Sequence, residues 1–218
     1  RDRAAVERLK MLDDSDLQYV MDAISLTRKM LTGRVPLIGF AGAPFTLASY
    51  AIEGGSSRNY IHTKQMMYGE PEVWHRLMDK FARVITGYLR RQIKAGAQAV
   101  QLFDSWVGCL SAGDYAEYVM PHVQLIFDGL KHEGVPLIHF GTGTTAILKS
   151  MRQAGGDVIG IDWRIPLDEA WAMVGYDRAV QGNLDPVTLF GPIHEIERRV
   201  ADILRRAAGR PGHIFNLG

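Results

Sequence analysis

Six short apolar runs, separated by stretches with helical spacing, constrain the fold of this chain more than any other feature. They fall at Val35 to Phe40, Ala99 to Asp104, Val135 to Phe140, Val158 to Asp162, Ala179 to Gly182 and His213 to Leu217. Their apolar content is near-continuous, as in strands buried on both faces, and such strands alternating with helices build a parallel sheet covered by helices. The spacing predicts a long helix from Pro71, with Val73, Leu77, Phe81, Val84, Ile85, Tyr88 and Ile93 on one face and Gly96 beyond its end. Further helices are expected at about Thr145 to Gln153, Leu167 to Val174 and Ile193 to Ala207, and Pro121 predicts a kink or a restart. Asp14, Ser15 and Asp16 are candidate caps for a helix carrying Leu17, Val20, Met21 and Ile24.

The exits of these runs decide between two architectures. The first run empties into Gly39 to Gly55, GFAGAPFTLASYAIEGG, whose small residues let backbone approach a ligand closely. A doubly wound sheet gathers its ligand at one switch point, usually behind a GxGxxG turn, and GFAGAP is not that turn. A barrel lets every exit contribute. Unusual residues recur at most of them: Gly42 to Tyr50, Asp104 to Trp106, Gly141 to Thr145, Asp162 and Trp163, Asn183 to Pro186. The reading is an α/β TIM (β/α)8 barrel, one partial domain over 1–218, with about six of its eight strands present. Two raw sheet edges follow from it.

Composition narrows the function classes. The net charge of +1 gives no reason to invoke nucleic acid or a membrane surface, and no apolar run approaches the ~20 residues of a membrane span. Cys109 is the one cysteine, which rules out an internal disulfide or a multi-thiolate metal site built from this chain. The chain begins at Arg1 and stops inside a strand pattern, so a piece of a longer, cytoplasmic protein is expected.

Tyr50 is the foremost candidate for a site: a phenol near the mouth can donate to a carboxylate while its ring lies against a flat ligand. Packing in the barrel wall is the plainer role. Ser105 is a small donor at a strand exit, with turn capping as its alternative. Phe103 and Phe40 can line a cavity, although core packing is the weightier role for each. Asp104 reads as a turn or ion-pair residue, Glu53 is ambiguous, and Asp162 reads as support for a loop. The Gly141 to Thr145 run, GTGTT, could cradle an anion. His62, His75, His122 and His132 fit helix surfaces. No residue is assigned as catalytic, and no metal site is expected.

The segments GFAGAPFTLASYAIEGGSS, KAGAQAVQLFDSW, GGDVIGIDWRIP, AVQGNLDP and HIFNLG, in that order, resemble the uroporphyrinogen decarboxylase family. The resemblance implies cofactor-free decarboxylation of the acetate arms of uroporphyrinogen III to give coproporphyrinogen III, by a homodimer. It implies Tyr50 and Ser105 as substrate-contacting residues, with Phe103 beside them. The arginine-rich segment, the aspartate and the histidine of the family are not in this sequence, so the chain alone is expected to be inactive. Two other readings stay open. One is a zinc- and cobalamin-dependent methyltransferase of the same superfamily, whose His-x-Cys pair would fall at His139, where Gly141 stands in place of the cysteine. The other is a non-catalytic tetrapyrrole-binding barrel.

Overall fold

The computed structural model describes residues 3–13, 15–55 and 57–218. Six strands, β1 (Ile38–Gly42), β2 (Ala99–Asp104), β3 (Leu137–Gly141), β4 (Val158–Gly160), β5 (Ala179–Leu184) and β6 (His213–Leu217), form one parallel sheet in chain order. The helices are α1 (Arg3–Arg8), α2 (Gln18–Met30), α3 (Pro44–Glu53), α4 (Ile61–Gly69), α5 (Pro71–Lys94), α6 (Ala112–Tyr118), α7 (Met120–Leu130), α8 (Leu148–Ala154), α9 (Leu167–Val174) and α10 (Ile193–Ala207). At Pro121 the chain restarts rather than bends, since α6 ends at Tyr118 and α7 begins at Met120.

Several boundaries differ from expectation for local reasons. Pro36 has no N–H to give a ladder, so β1 starts at Ile38, after Gln98 N–H has donated to the Leu37 carbonyl at 2.8 Å. It then runs into Gly42, and Ala43 N–H donates to Phe103 O at 2.8 Å. β4 stops at Gly160, and the Asp162 side chain turns back to accept from Arg164 N–H. The expected caps of α2 are not used. Asp14 lies outside the described residues, the Asp16 carboxylate accepts from Asp13 N–H, and Leu17 precedes the helix with φ 59° and no side-chain cap.

The sheet is strongly curved. β2 and β5 lie three strands apart, about 14 Å on a flat sheet, yet Gln181 Nε2 donates to Gln101 Oε1 at 3.1 Å. Register puts Phe40, Gln101, Phe103, Ile138, Phe140, Gly160 and Gln181 on this concave face. The convex face carries Val100, Leu102, Leu137, Ile159 and Val180 into one continuous core with the helices. Trp74 of α5 and Trp171 of α9 are among the largest fully buried side chains. The architecture is therefore an α/β barrel arc that does not close, with β1 and β6 as its edges. No helix of the described residues is long and apolar enough to cross a membrane.

Candidate active site

The exits of β1 and β2 meet at one end of the sheet. Small residues make this possible: Ala43 and Ala48 are fully buried, and Pro44 sits in the first turn of α3, where its missing N–H costs nothing. α3 carries Tyr50, which is 46% exposed at the mouth. Its ring meets Trp106 edge to face, with centroids 5.9 Å apart. Trp106 follows Ser105 directly, so the structure brings Tyr50 and the Ser105 turn together at the same sheet end. Trp106 also contacts Tyr60, with ring centroids 6.0 Å apart, and burial pushes the Tyr60 phenol up to about 12. The Thr142 hydroxyl donates to the Ser105 carbonyl and pins the turn to the β3 exit.

Phe103 lies on the concave face as the middle of an aromatic row. Phe40 and Phe103 meet edge to face at 5.7 Å, and Phe103 and Phe140 at 5.6 Å. Phe40 is 62% exposed, so core packing does not describe it. Its register faces the hollow of the arc, not the helices. Gly160 makes room for the row, because a Cβ there would stand 2.6 Å from Phe140 Cδ2. Below it, the Gln101–Gln181 amide pair satisfies polar groups that are almost fully buried. The hollow thus joins an apolar bed to a rim bearing a phenol and a serine turn. That suits a flat ligand with polar edges.

Other expected residues have structural work. Glu53 Oε1 accepts from both Thr63 N–H and Thr63 Oγ1 at 2.9 Å, joining α3 to α4. Asp162 supports a loop as expected: it accepts from Gly143 N–H and pairs with Arg164 at 2.6 Å. That bond uses an amide of the GTGTT run for the protein's own carboxylate, so the run does not present it to an external anion. Asp104 makes no ion pair among the described residues; it is fully buried and accepts from Thr46 Oγ1 at 3.0 Å. His139 faces the helices, its ring 5.1 Å from Phe127, and burial lowers it to about 4. Among the described residues no cluster of three His, Cys, Asp or Glu side chains could hold a metal.

Two features escaped the sequence. His122 is not on a helix surface. It is buried, its Nδ1 is 2.9 Å from Asp79 Oδ1, and its Nε2 is 2.8 Å from His75 Nδ1. A histidine at helical spacing gives no sign of a partner on another helix. Arg164, stacked 4.0 Å over Trp163, is a half-exposed cation at the β4 exit. The WRIP stretch carried that signal. A cleft of about 320 Å³ beside it is bounded by Asn183, Asp202 and Arg206.

Comparison with known proteins gives consistent results. The family model described as uroporphyrinogen decarboxylase matches residues 1–218. A uroporphyrinogen decarboxylase from Sorangium cellulosum is 59% identical over 100% of this chain and 63% of its own length. One from Carboxydothermus hydrogenoformans is 58% identical over 94% of this chain and 59% of its own length. The chain therefore spans about three fifths of the length of the curated relatives it matches. Among solved structures, a methyltransferase from Methanosarcina mazei superposes with a TM-score of 0.78 at 18% identity, over 93% of this chain and 58% of that one. A putative vitamin-B12-independent methionine synthase from Listeria monocytogenes gives 0.62 at 10% identity, over 95% and 63%. Identities this low carry the fold alone.

Proposed function

We propose, from the premise that this chain belongs to the uroporphyrinogen decarboxylase family, that it forms most of the barrel of an enzyme converting uroporphyrinogen III to coproporphyrinogen III. The observation that carries this reading is the family match along all 218 residues. The geometry agrees with it. The substrate is a flat macrocycle with an apolar centre and carboxylates around its edge. The Phe40, Phe103 and Phe140 row offers a bed for such a ring, and Tyr50 and Ser105 offer donors at the rim.

The reaction asks little covalent chemistry of the protein. Protonation of a pyrrole ring makes that ring an electron sink. The bond between the acetate methylene and its carboxylate then breaks, carbon dioxide leaves, and the electron pair moves into the ring. A proton delivered to the methylene gives the methyl group, and loss of the ring proton restores the pyrrole. No cofactor is invoked. The task of this chain is to hold the macrocycle with one acetate correctly oriented and to exclude water from the breaking bond. Tyr50 donates to a carboxylate that is not reacting, Ser105 does the same at the β2 exit, and Phe103 supports the ring. The proposed assembly is a cytoplasmic homodimer, supported by the family resemblance and checked by sedimentation.

The test is incubation of a full-length protein carrying this sequence with reduced uroporphyrinogen, followed by chromatography of the products. Coproporphyrinogen is the expected product. Tight binding of the macrocycle without release of carbon dioxide would overturn the enzymatic reading in favour of a binding barrel.

A further inference from the structure

Asp104 is the least expected residue near the site. It is the last residue of β2, points away from the hollow, and is 0% exposed. Its Oδ1 accepts from Thr46 Oγ1 at 3.0 Å. The same Thr46 oxygen accepts from Trp106 N–H at 3.4 Å. Thr46 belongs to α3, one turn before Tyr50, and Trp106 is the ring against which Tyr50 rests. A closed circuit results: Asp104 to Thr46, Thr46 to Trp106, Trp106 to Tyr50, and Tyr50 back along α3 to Thr46.

Burying a carboxyl group without a cation is costly, and an apolar side chain would fill the same space more stably. No basic side chain offsets that cost here. Asp104 Oδ2 has no partner among the described residues, and two more buried oxygens, Tyr115 Oη and Ser49 Oγ, also lack one. Ser49 follows Thr46 by three residues, on the same helix face. The Asp104 charge acts on two titratable neighbours, Tyr115 of α6 and Cys109 in the turn between β2 and α6, and neither is cationic.

We infer that Asp104 is a positioning residue, which through Thr46 locks the helix carrying Tyr50 to the strand exit carrying Ser105 and Trp106. Its effect on turnover rests on the decarboxylase reading; its effect on Trp106 does not. The neutral acid can donate from Oδ2 while Oδ1 accepts from Thr46. The carboxylate has only acceptors and draws every nearby hydroxyl toward itself, which changes the pull on Thr46 and hence on Trp106. Burial raises Asp104 to about 7, so both states are populated near neutrality.

The experiment uses the full-length protein and three variants: Asp104→Asn, Thr46→Val and Thr46→Ser. The indole N–H resonance of Trp106, assigned by its loss in Trp106→Phe, is followed against pH. It is expected to titrate near neutrality in the parent and to stay constant in Asp104→Asn. kcat/KM is measured on the same samples. The parent should lose activity as pH rises through neutrality, Asp104→Asn should lack that limb, and Thr46→Val should fall roughly ten- to a hundredfold, with Thr46→Ser restoring it. An unchanged indole titration in Asp104→Asn, or parental kcat/KM in Thr46→Val, overturns the inference. If Asp104→Asn does not fold, the Thr46 pair decides it. Titration that depends on Asp104 in a protein making no coproporphyrinogen would leave the lock standing and remove the decarboxylase reading instead.

Discussion

Tyr50 and Ser105 both depend on Trp106, one by ring contact and the other by sequence adjacency. Tyr50→Phe keeps the ring contact and removes the donor. It is expected to lower kcat/KM by roughly 1 to 3 kcal/mol, the worth of a hydrogen bond to a charged group, which steady-state kinetics on the full-length protein would read. Parental kinetics would reduce Tyr50 to wall packing. Asp104 also marks the stability profile. Its folded value, about 7, lies above the ordinary 3.8, so its contribution is complete below pH 3.8 and is lost as pH rises through 7, by up to about 4 kcal/mol. Urea titrations should show Asp104→Asn removing that decline. The positions of Tyr50 and Ser105 just beyond strand ends were legible because strand exits rich in small residues are readable locally. The sequence could not announce that Asp104 has no cation nearby, or that Phe40 faces the hollow, since both depend on distant strands.

At the scale of elements, most of the structure was legible. β2, β6, α9 and α10 fall where the hydrophobic spacing puts them, because each is a complete local pattern. The polar link between α5 and α7 was not, since it joins His75 and Asp79 of one helix to His122 of the other. Burial lowers His122, against the opposing pull of Asp79. Stability from this group is therefore present above about pH 6.5 and is lost as pH falls through the lowered value. The protection of α7 amides, after correction for the intrinsic pH dependence of exchange, should fall below pH 6.5, and His122→Phe should remove most of that acid sensitivity. The aromatic bed offers a second test. Gly160→Val would force Phe140 aside, costing about 1 to 3 kcal/mol in thermal unfolding for an overpacked site, and should weaken macrocycle binding by fluorescence titration. Unaltered binding would separate the Phe row from the ligand.

The whole molecule is an arc whose two outer strands, β1 and β6, each leave one side of the backbone unpaired in the sheet. Ile38 and Phe40 at one edge and Ile214 at the other add exposed apolar surface. The isolated 218-residue polypeptide is expected to self-associate with rising concentration, which sedimentation would show; a monodisperse monomer up to high concentration would refute it. The alternation of strands and helices revealed the parallel sheet, and unusual residues at most strand exits pointed to a barrel rather than a doubly wound sheet; the side-chain contact that spans the curve had no sequence signal. The Gln101–Gln181 bond acts as a chord across the arc, and it ties residues 80 positions apart, whereas the sheet pairs each strand with its neighbour in the chain. A link spanning so much chain forms late, after the local units have assembled. Gln101→Ala should then hasten unfolding while leaving the folding rate nearly untouched, so that one amide pair sets how long the arc stays folded rather than how fast it forms.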